Sequence, residues 1–138
     1  MSSLEKKMFF LPNRLSLTRE ELFVSFNLTV IPPDMDVISM ALHIQLPKMI
    51  KPSIVYVNEI IAGWSEKSTK KGIFPPRCKN SDILICSPGQ KELIIDVTAY
   101  KTKWRLNREQ NYGIYVRFKN KNNISIKNNP PYLVIDTI

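Results

Sequence analysis

The sequence predicts an all-β fold, a two-sheet antiparallel β-sandwich of jelly-roll type with one short helix at about residues 98–107. The chain of 138 residues has the size of one domain that closes a single core. Its dominant hydrophobic period is two residues, which is the period of a half-buried strand. Turn residues separate about eight such segments, and one segment changes to the helical period.

The first apolar segment is β-prone and ends at Pro12. It consists of Met8, Phe9, Phe10 and Leu11. This segment fits either the first strand of the sandwich or an arm that pairs with the sheet edge of a neighbouring copy. We therefore divide the chain into residues 1–20, the arm or first strand, and residues 21–138, the β-sandwich domain.

Seven further segments alternate in hydrophobicity or are rich in β-branched residues. They cover residues 22–30, 38–46, 53–61, 81–86, 92–97, 114–118 and 131–136. Each is predicted as a strand, and Pro32 and Pro33 stop the first because proline cannot donate to a ladder. His43 falls among the outward-facing alternates, so a solvated position is predicted for it. Residues 63–79 predict a basic loop with prolines, and residues 120–129 predict an Asn-rich loop, either alone or with a short strand within it.

The helical segment covers residues 98–107. Tyr100 and Trp104 lie four residues apart on one apolar stripe, so a core position is predicted for Trp104. Thr98 is predicted to cap the helix by accepting a hydrogen bond from a free backbone N–H. The carboxylate of Asp96, just before the helix, is predicted to satisfy backbone donors rather than to transfer protons.

A series of short motifs occurs in a fixed order between Glu21 and Ile138. The motifs are Phe26-Asn27-Leu28 with Ile31-Pro32-Pro33, Val37-Ile38-Ser39-Met40-Ala41-Leu42, Tyr56-Val57-Asn58, Trp64-Ser65-Glu66, Ile95-Asp96-Val97-Thr98 with Trp104, Asn111-Tyr112-Gly113-Ile114, and Pro131-Tyr132-Leu133-Val134-Ile135. Together they resemble the DNRLRE family, the disaggregatase-related β-sandwich modules of bacterial and archaeal surface proteins. The strand–helix–Trp arrangement is also similar to the TGF-β propeptide fold. The resemblance implies a non-enzymatic sandwich and, for some relatives, carbohydrate binding.

The charge balance favours anionic partners. The chain has 20 Lys and Arg against 12 Asp and Glu, a net charge of +8. No arginine-rich tract, RNP-like aromatic motif or zinc-finger spacing accompanies this charge, so nucleic acid ranks below acidic polysaccharide as a partner. No apolar run approaches the ~20 residues of a membrane span, and no signal peptide is recognisable. We expect an extracellular, cell-surface or spore-surface location, with a cytoplasmic one left open.

The sequence does not group the residue types of an enzyme site. Catalysis needs a nucleophile with a base, paired carboxylates or a metal cluster. Asp34 and Asp36 lie in a proline turn, and the four glycines form no phosphate-binding loop. We therefore predict no catalysis, no metal and no cofactor.

Two sets of residues are candidates for a working site. The assembly candidates are Met8, Phe9, Phe10, Leu11, Cys78 and Cys86, and the glycan-binding candidates are Trp64, Lys67, Lys70, Lys71 and Arg77. The two cysteines fit a disulfide within the chain, a cross-link between subunits, or free thiols. Trp64 fits either an exposed stacking platform for a sugar or a side chain packed over the end of the sandwich.

These candidates lead to two hypotheses. The first is a non-catalytic, self-associating subunit of a surface or extracellular assembly, such as a filament or coat, whose partners are other copies of the same chain. The alternative is a carbohydrate-binding module for an acidic glycan. Both hypotheses describe a protein that works by contact.

Overall fold

A computed structural model of the protein describes residues 5–106, 111–119 and 129–138. In these residues the period-two segments form strands, and two short helices lie between them. The strands are β1 (Lys6–Phe10), β2 (Arg14–Thr18), β3 (Glu21–Ser25), β4 (Val37–Gln45), β5 (Ser53–Glu59), β6 (Asp82–Cys86), β7 (Glu92–Asp96), β8 (Ile114–Phe118) and β9 (Tyr132–Thr137). The helices are α1 (Glu66–Lys70) and α2 (Lys101–Leu106), and a 3₁₀ turn, Thr98–Tyr100, leads directly into α2.

The strands form two sheets that pack face to face. Sheet A has the order β1-β9-β4-β7, sheet B has the order β2-β3-β8-β5-β6, and the pairings are antiparallel. β2 and β3 form a hairpin. Without β2, the eight remaining described strands, β3 among them, follow the order of a jelly roll, in which the first and last strands are neighbours and the chain crosses repeatedly between the sheets. The predicted fold class is confirmed.

The main core lies between the two sheets, because the inward-facing side chains of both are apolar. Its buried members include Leu22, Val24, Met40, Leu42, Val55, Val57, Ile95, Val116, Leu133 and Ile135. Trp104 of α2 joins them at 2% exposure, and its ring stacks on Tyr100 with centroids 5.4 Å apart. The core position predicted for Trp104 is confirmed.

A second apolar cluster covers part of the outer surface of sheet B. Its buried members are Phe23, Ile60, Trp64 and Tyr115. Residues 63–79 supply part of this cover, and the Phe74 ring stacks on Phe23 with centroids 5.2 Å apart. Phe23 is therefore 0% exposed, although the alternation along its strand predicts an outward-facing side chain. The pattern of one strand does not reveal cover that comes from a distant loop.

Two local predictions are wrong. β3 ends at Ser25 rather than at residue 30, because the side-chain oxygen of Asn27 accepts from the Thr29 N–H at 3.0 Å and favours a turn. The loop predicted at residues 63–79 contains α1. Two reciprocal hydrogen bonds cap its start. The Ser68 N–H donates to the Ser65 hydroxyl oxygen at 3.0 Å, and the Ser65 N–H donates to the Ser68 hydroxyl oxygen at 3.2 Å.

The entry into α2 also differs from the prediction. The Thr98 hydroxyl oxygen accepts from the Met40 N–H at 3.0 Å and so fastens the turn to β4, and it does not cap the helix. The Asp96 carboxylate accepts from the Thr98 N–H at 2.9 Å, as predicted, and also from the Thr98 hydroxyl. The hydroxyl contact and, after it, the backbone contact lower the pKa of Asp96, because both favour the charged form.

The first residues described belong to the sandwich. β1 is an edge strand of sheet A and pairs with β9, from Lys6 opposite Thr137 to Phe10 opposite Leu133. The first-strand alternative therefore describes the structure. Within the described part of the chain, no helix is long and apolar enough to cross a membrane. The predicted helix end at residue 107 and residues 120–128 of the predicted Asn-rich loop lie outside it.

His43 faces outward from sheet A, as its alternation predicts, but it is not solvated. Its side chain is 16% exposed, and its Nδ1 lies 2.8 Å from the carboxylate of Glu92 on β7. Its ring stacks on Tyr132 of β9 with centroids 4.9 Å apart. Neighbouring strands of the same sheet supply this cover, which the pattern of β4 alone does not contain.

Candidate functional site

A groove of about 750 Å³ lies on the outer face of sheet B. We call it the cationic groove. Its lining residues are Tyr56, Asn58, Phe74, Pro75, Pro76, Arg77, Cys78, Lys79, Ser81, Tyr115, Arg117 and Lys119. They come from β5, from β8 and the residue after it, and from the loop that leads to β6.

Strand register brings the groove residues together. Tyr56 of β5 lies opposite Arg117 of β8, and Asn58 lies opposite Tyr115. Positions two apart on a strand share a face, so all four side chains point outward from the sandwich. The floor of the groove is therefore built from two strands that are adjacent in space and distant in sequence.

Four cationic side chains line the groove, namely Arg77, Lys79, Arg117 and Lys119. The Arg77 guanidinium lies 4.1 Å from the centre of the Tyr115 ring, within the range of a cation–π contact. No carboxylate is among the described lining residues. Cations gathered on a concave surface raise the local concentration of anions.

The loop that forms one wall is fixed to β5. The Asn58 amide donates to the Cys78 carbonyl oxygen at 2.7 Å and accepts from the Ser81 hydroxyl at 3.0 Å. The Cys78 N–H donates to the Glu59 carbonyl oxygen at 2.9 Å. Because these bonds hold the loop at both sides of Lys79, the groove wall is preformed.

Tyr115 forms a neutral part of the groove floor. Burial, and then a 2.8 Å hydrogen bond from its hydroxyl to Glu21, raise the pKa of Tyr115 above its usual value. The phenol therefore stays protonated at neutral pH and donates to the carboxylate. Glu21, which accepts this hydrogen bond, is not among the described lining residues.

The predicted glycan-binding residues do not form one site. Trp64 is 8% exposed, its indole N–H donates to the Tyr112 carbonyl oxygen at 2.7 Å, and Arg14 covers its ring at 5.2 Å. Trp64 is thus a packed side chain and not an exposed platform on which a sugar could stack. The exposed lysines Lys67, Lys70 and Lys71 lie on or just after α1, which packs on β2 at the far edge of sheet B. Arg77 is the one candidate that lines the groove.

The predicted assembly residues also separate. Met8 and Phe10 pack against the main core, while Phe9 and Leu11 are 67% and 71% exposed. Both cysteines are free thiols, with Cys78 exposed and Cys86 buried. Burial raises the pKa of the Cys86 thiol, which disfavours its reactive thiolate form. Of the two cysteines, Cys78 is thus the accessible one.

Sequence reasoning missed most of the groove. The alternation along β5 and β8 contains part of the signal, since it places Tyr56 and Arg117 among outward-facing positions. The pairing of these two strands is not readable from either pattern. Lys79 stands in a loop and Lys119 follows a strand, so neither is marked by a period.

The fold and this groove define the class of protein, a jelly-roll β-sandwich with a positively charged, tyrosine-containing groove on one outer face. No family model matches the sequence, and no curated protein is significantly similar to it. The DNRLRE resemblance stays a prediction. Among the described residues, no three His, Cys, Asp or Glu side chains gather in a cluster that could hold a metal ion.

Proposed function

We propose that the protein is a non-catalytic interaction module that binds an acidic polysaccharide in the cationic groove. The proposal is carried by the lining, in which Arg77, Lys79, Arg117 and Lys119 surround one open surface without a carboxylate among the described lining residues. A polymer with a negative charge on each repeat contacts several of these cations at once. Arg77 is the residue that this site shares with the glycan site predicted from the sequence.

The tyrosines of the groove favour a polysaccharide over a nucleic acid. Single-stranded nucleic acids bind by stacking bases on open aromatic faces. Arg77 already covers the Tyr115 ring at 4.1 Å, and the Arg117 guanidinium lies 6.0 Å from the Tyr56 ring. The groove thus presents planar guanidinium donors, which pair with carboxylate or sulfate groups through two parallel hydrogen bonds.

Calorimetric titration with polygalacturonate and with a sulfated glycan tests this function. We expect salt-sensitive binding, and Arg117→Gln weakens it about fivefold because one charge-assisted contact is lost. Lys70→Gln on α1 removes the same charge away from the groove and serves as the matched control, with unchanged affinity. Salt-insensitive or undetectable glycan binding contradicts the proposal. Oligothymidine that binds more tightly than either glycan identifies the ligand as nucleic acid instead.

A second function, self-association as a subunit of a surface or extracellular assembly, is favoured by a different observation. Large aliphatic side chains are exposed on the edge strand β6, where Ile83 and Ile85 are 63% and 67% exposed. Exposed apolar edges pair with other chains. Deleting residues 1–11 is a poor test, because Met8 and Phe10 pack against the core and the deletion disturbs the fold. Substitutions within an intact edge test this function better.

A further inference from the structure

We infer that β6 is a self-recognition edge, through which two copies of this chain pair antiparallel about a twofold axis. The inference rests on the second proposed function, self-association, and it specifies the surface and the register. The described sheets have four edge strands, β1 and β7 in sheet A and β2 and β6 in sheet B. The four edges differ in how they are protected.

Three of these edges carry features that hinder pairing. α1 packs on β2, and its Glu66 carboxylate accepts from the Leu15 N–H at 3.0 Å. On β7 the Gln90 amide donates to the Glu92 carbonyl oxygen at 2.8 Å. β1 begins with two exposed lysines, a common protection of free edges. No described residue outside β5 hydrogen-bonds to the backbone of β6 between its ends.

The direction of the backbone groups of β6 follows from its neighbour. The Lys119 N–H donates to the Ile54 carbonyl oxygen at 2.9 Å, so the polar backbone groups of Ile54 point from β5 toward β8. Successive residues of a central antiparallel strand point to opposite sides. The groups of Val55 therefore point toward β6, where Val55 lies opposite Leu84. Leu84 is bonded to β5, and the N–H and C=O groups of its two neighbours point to the free edge.

These neighbours are Ile83 and Ile85, and their arrangement is self-complementary. An antiparallel second copy with the twofold axis at Leu84 sets Ile83 of each copy opposite Ile85 of the other. Each such pair exchanges two backbone hydrogen bonds, because both residues point their groups outward. The side chains of all these isoleucines lie on one face, where cross-strand aliphatic pairs stabilise a sheet. A second copy of the same strand offers both the outward-pointing backbone groups and the isoleucine side chains, because the twofold axis repeats them.

Charge does not oppose this contact, despite the net charge of +8. The charged residue of β6 is Asp82, and the register sets it opposite Cys86 of the second copy, so no like charges meet within the paired strands. Each sheet B has five strands, and the pairing joins them into one sheet of ten. The cationic grooves of both copies then open on the same face of that sheet.

Sedimentation of the full chain with edge prolines tests the surface. Proline at Ile85 removes an outward N–H and keeps the ladder with β5, since edge strands tolerate proline on their free side. We expect a wild-type dimer and at least tenfold weaker association for Ile85→Pro. Ile94→Pro is the matched control, because Ile94 is 55% exposed on the edge strand β7. It leaves association unchanged.

Two results overturn the inference. One is a wild-type chain that stays monomeric from about 1 μM to about 1 mM, a range that covers ordinary protein association. The other is a folded Ile85→Pro variant that dimerises like wild type. Circular dichroism checks the fold of each variant. If Ile85→Pro does not fold, Ile85→Lys replaces it. This variant keeps the backbone N–H and places like charges at the β6 interface, so we expect the same loss of association.

Cross-linking tests the register. In a Cys78→Ser background, chains with Ile83→Cys are mixed with chains carrying Ile85→Cys and oxidised. Opposed residues in a hydrogen-bonded pair have Cα atoms about 5.5 Å apart, which fits a disulfide. We expect the mixture to form more covalent dimer than either variant alone, and equal yields overturn the register. Glycan titration of the Ile85→Pro monomer tests glycan binding by the cationic groove separately from self-association.

Discussion

Gly113, immediately before β8, lies where a larger residue does not fit. Its φ is +91°, and a Cβ atom at this position would lie 2.0 Å from the carbonyl oxygen of Val24. That oxygen is backbone, so it cannot turn away. We predict that Gly113→Ala lowers the free energy of unfolding by at least about 3 kcal/mol, because strained φ and overpacking combine. Urea denaturation measures the loss.

The matched control for this prediction is Gly63→Ala. A Cβ atom at Gly63 has nothing within 4 Å, and its φ does not require glycine. We expect a change within about 0.5 kcal/mol, typical of open surface positions. Comparable losses in the two variants would contradict the steric account of Gly113.

Asp96 gives a pH-dependent contribution at the residue scale. Its folded-state pKa is lowered by the Thr98 hydroxyl and then by the Thr98 N–H. A lowered pKa means that the stabilisation is present above the unfolded-state pKa of about 3.9 and is lost as pH falls through the folded value. We predict that Asp96→Ala costs about 0.5 kcal/mol at pH 7, at the low end for a hydrogen bond because this carboxylate is exposed to solvent, and that the difference from wild type narrows below about pH 4. Denaturation midpoints from pH 7 to pH 2.5 measure it.

The control for Asp96 is Asp34→Ala. Asp34 is exposed, and the described structure assigns its carboxylate no hydrogen bond. We expect little change at either pH. A pH-independent loss for Asp96→Ala would instead assign its effect to packing.

The burial of a side chain is predictable from sequence only where nearby residues in the chain determine it. Trp104 was predictable, because Tyr100 and Trp104 are spaced for one helical stripe and both are large and apolar. Trp64 was not, because its cover comes from Tyr112 and Arg14, which are distant in the chain. Periodicity reports the face that an element buries, and it does not report which loop covers the other face.

At the scale of elements, β1 is a strand with two different faces. Phe10 packs against the main core, whereas Phe9 is 67% exposed. We predict that Phe10→Ala lowers the free energy of unfolding by about 2 kcal/mol, below the range for a fully buried phenylalanine because Phe10 is only partly buried. Phe9→Ala, on the outer face of the same strand, costs about 0.5 kcal/mol. Thermal denaturation of both variants checks this, and the opposite order would show that the core side of β1 is misassigned.

The elements that were predicted from sequence are those stabilised by their own pattern. β4 and β8 follow the period of two and lie where it places them. α1 was missed because a five-residue helix is too short to show a period. It depends on tertiary contacts, such as the hydrogen bond between the Thr69 and Ser16 hydroxyl groups at 2.7 Å. A helix this short, held by contacts with distant residues, shows no hydrophobic period in the sequence.

At the scale of the whole molecule, the groove and the β6 edge belong to the same sheet. Tyr56 lines the groove and lies opposite Ile83 of the edge strand. A dimer through β6 therefore brings two grooves to one continuous surface. The groove and the β6 edge are close together because of the strand order, since β8, β5 and β6 are adjacent in sheet B and separated along the chain. The jelly-roll prediction implied a two-sheet core, but it did not specify which side chains would share an outer face.

Two grooves on one surface predict a dependence on ligand length. A polymer that spans both grooves binds the second one at a high effective concentration, and an oligosaccharide that fills one groove gains nothing from the dimer. We predict that wild type binds long polygalacturonate at least about tenfold more tightly than the Ile85→Pro monomer does, at the low end of avidity gains. Wild type and the Ile85→Pro monomer bind a short oligogalacturonate equally.

The control is Arg117→Gln, which alters the groove and not the edge. It weakens the binding of both the long and the short glycan, in wild type and in the Ile85→Pro background. Calorimetry with size-fractionated glycans measures these affinities, and a length-independent difference between wild type and Ile85→Pro would mean that the edge substitution acts on the groove itself.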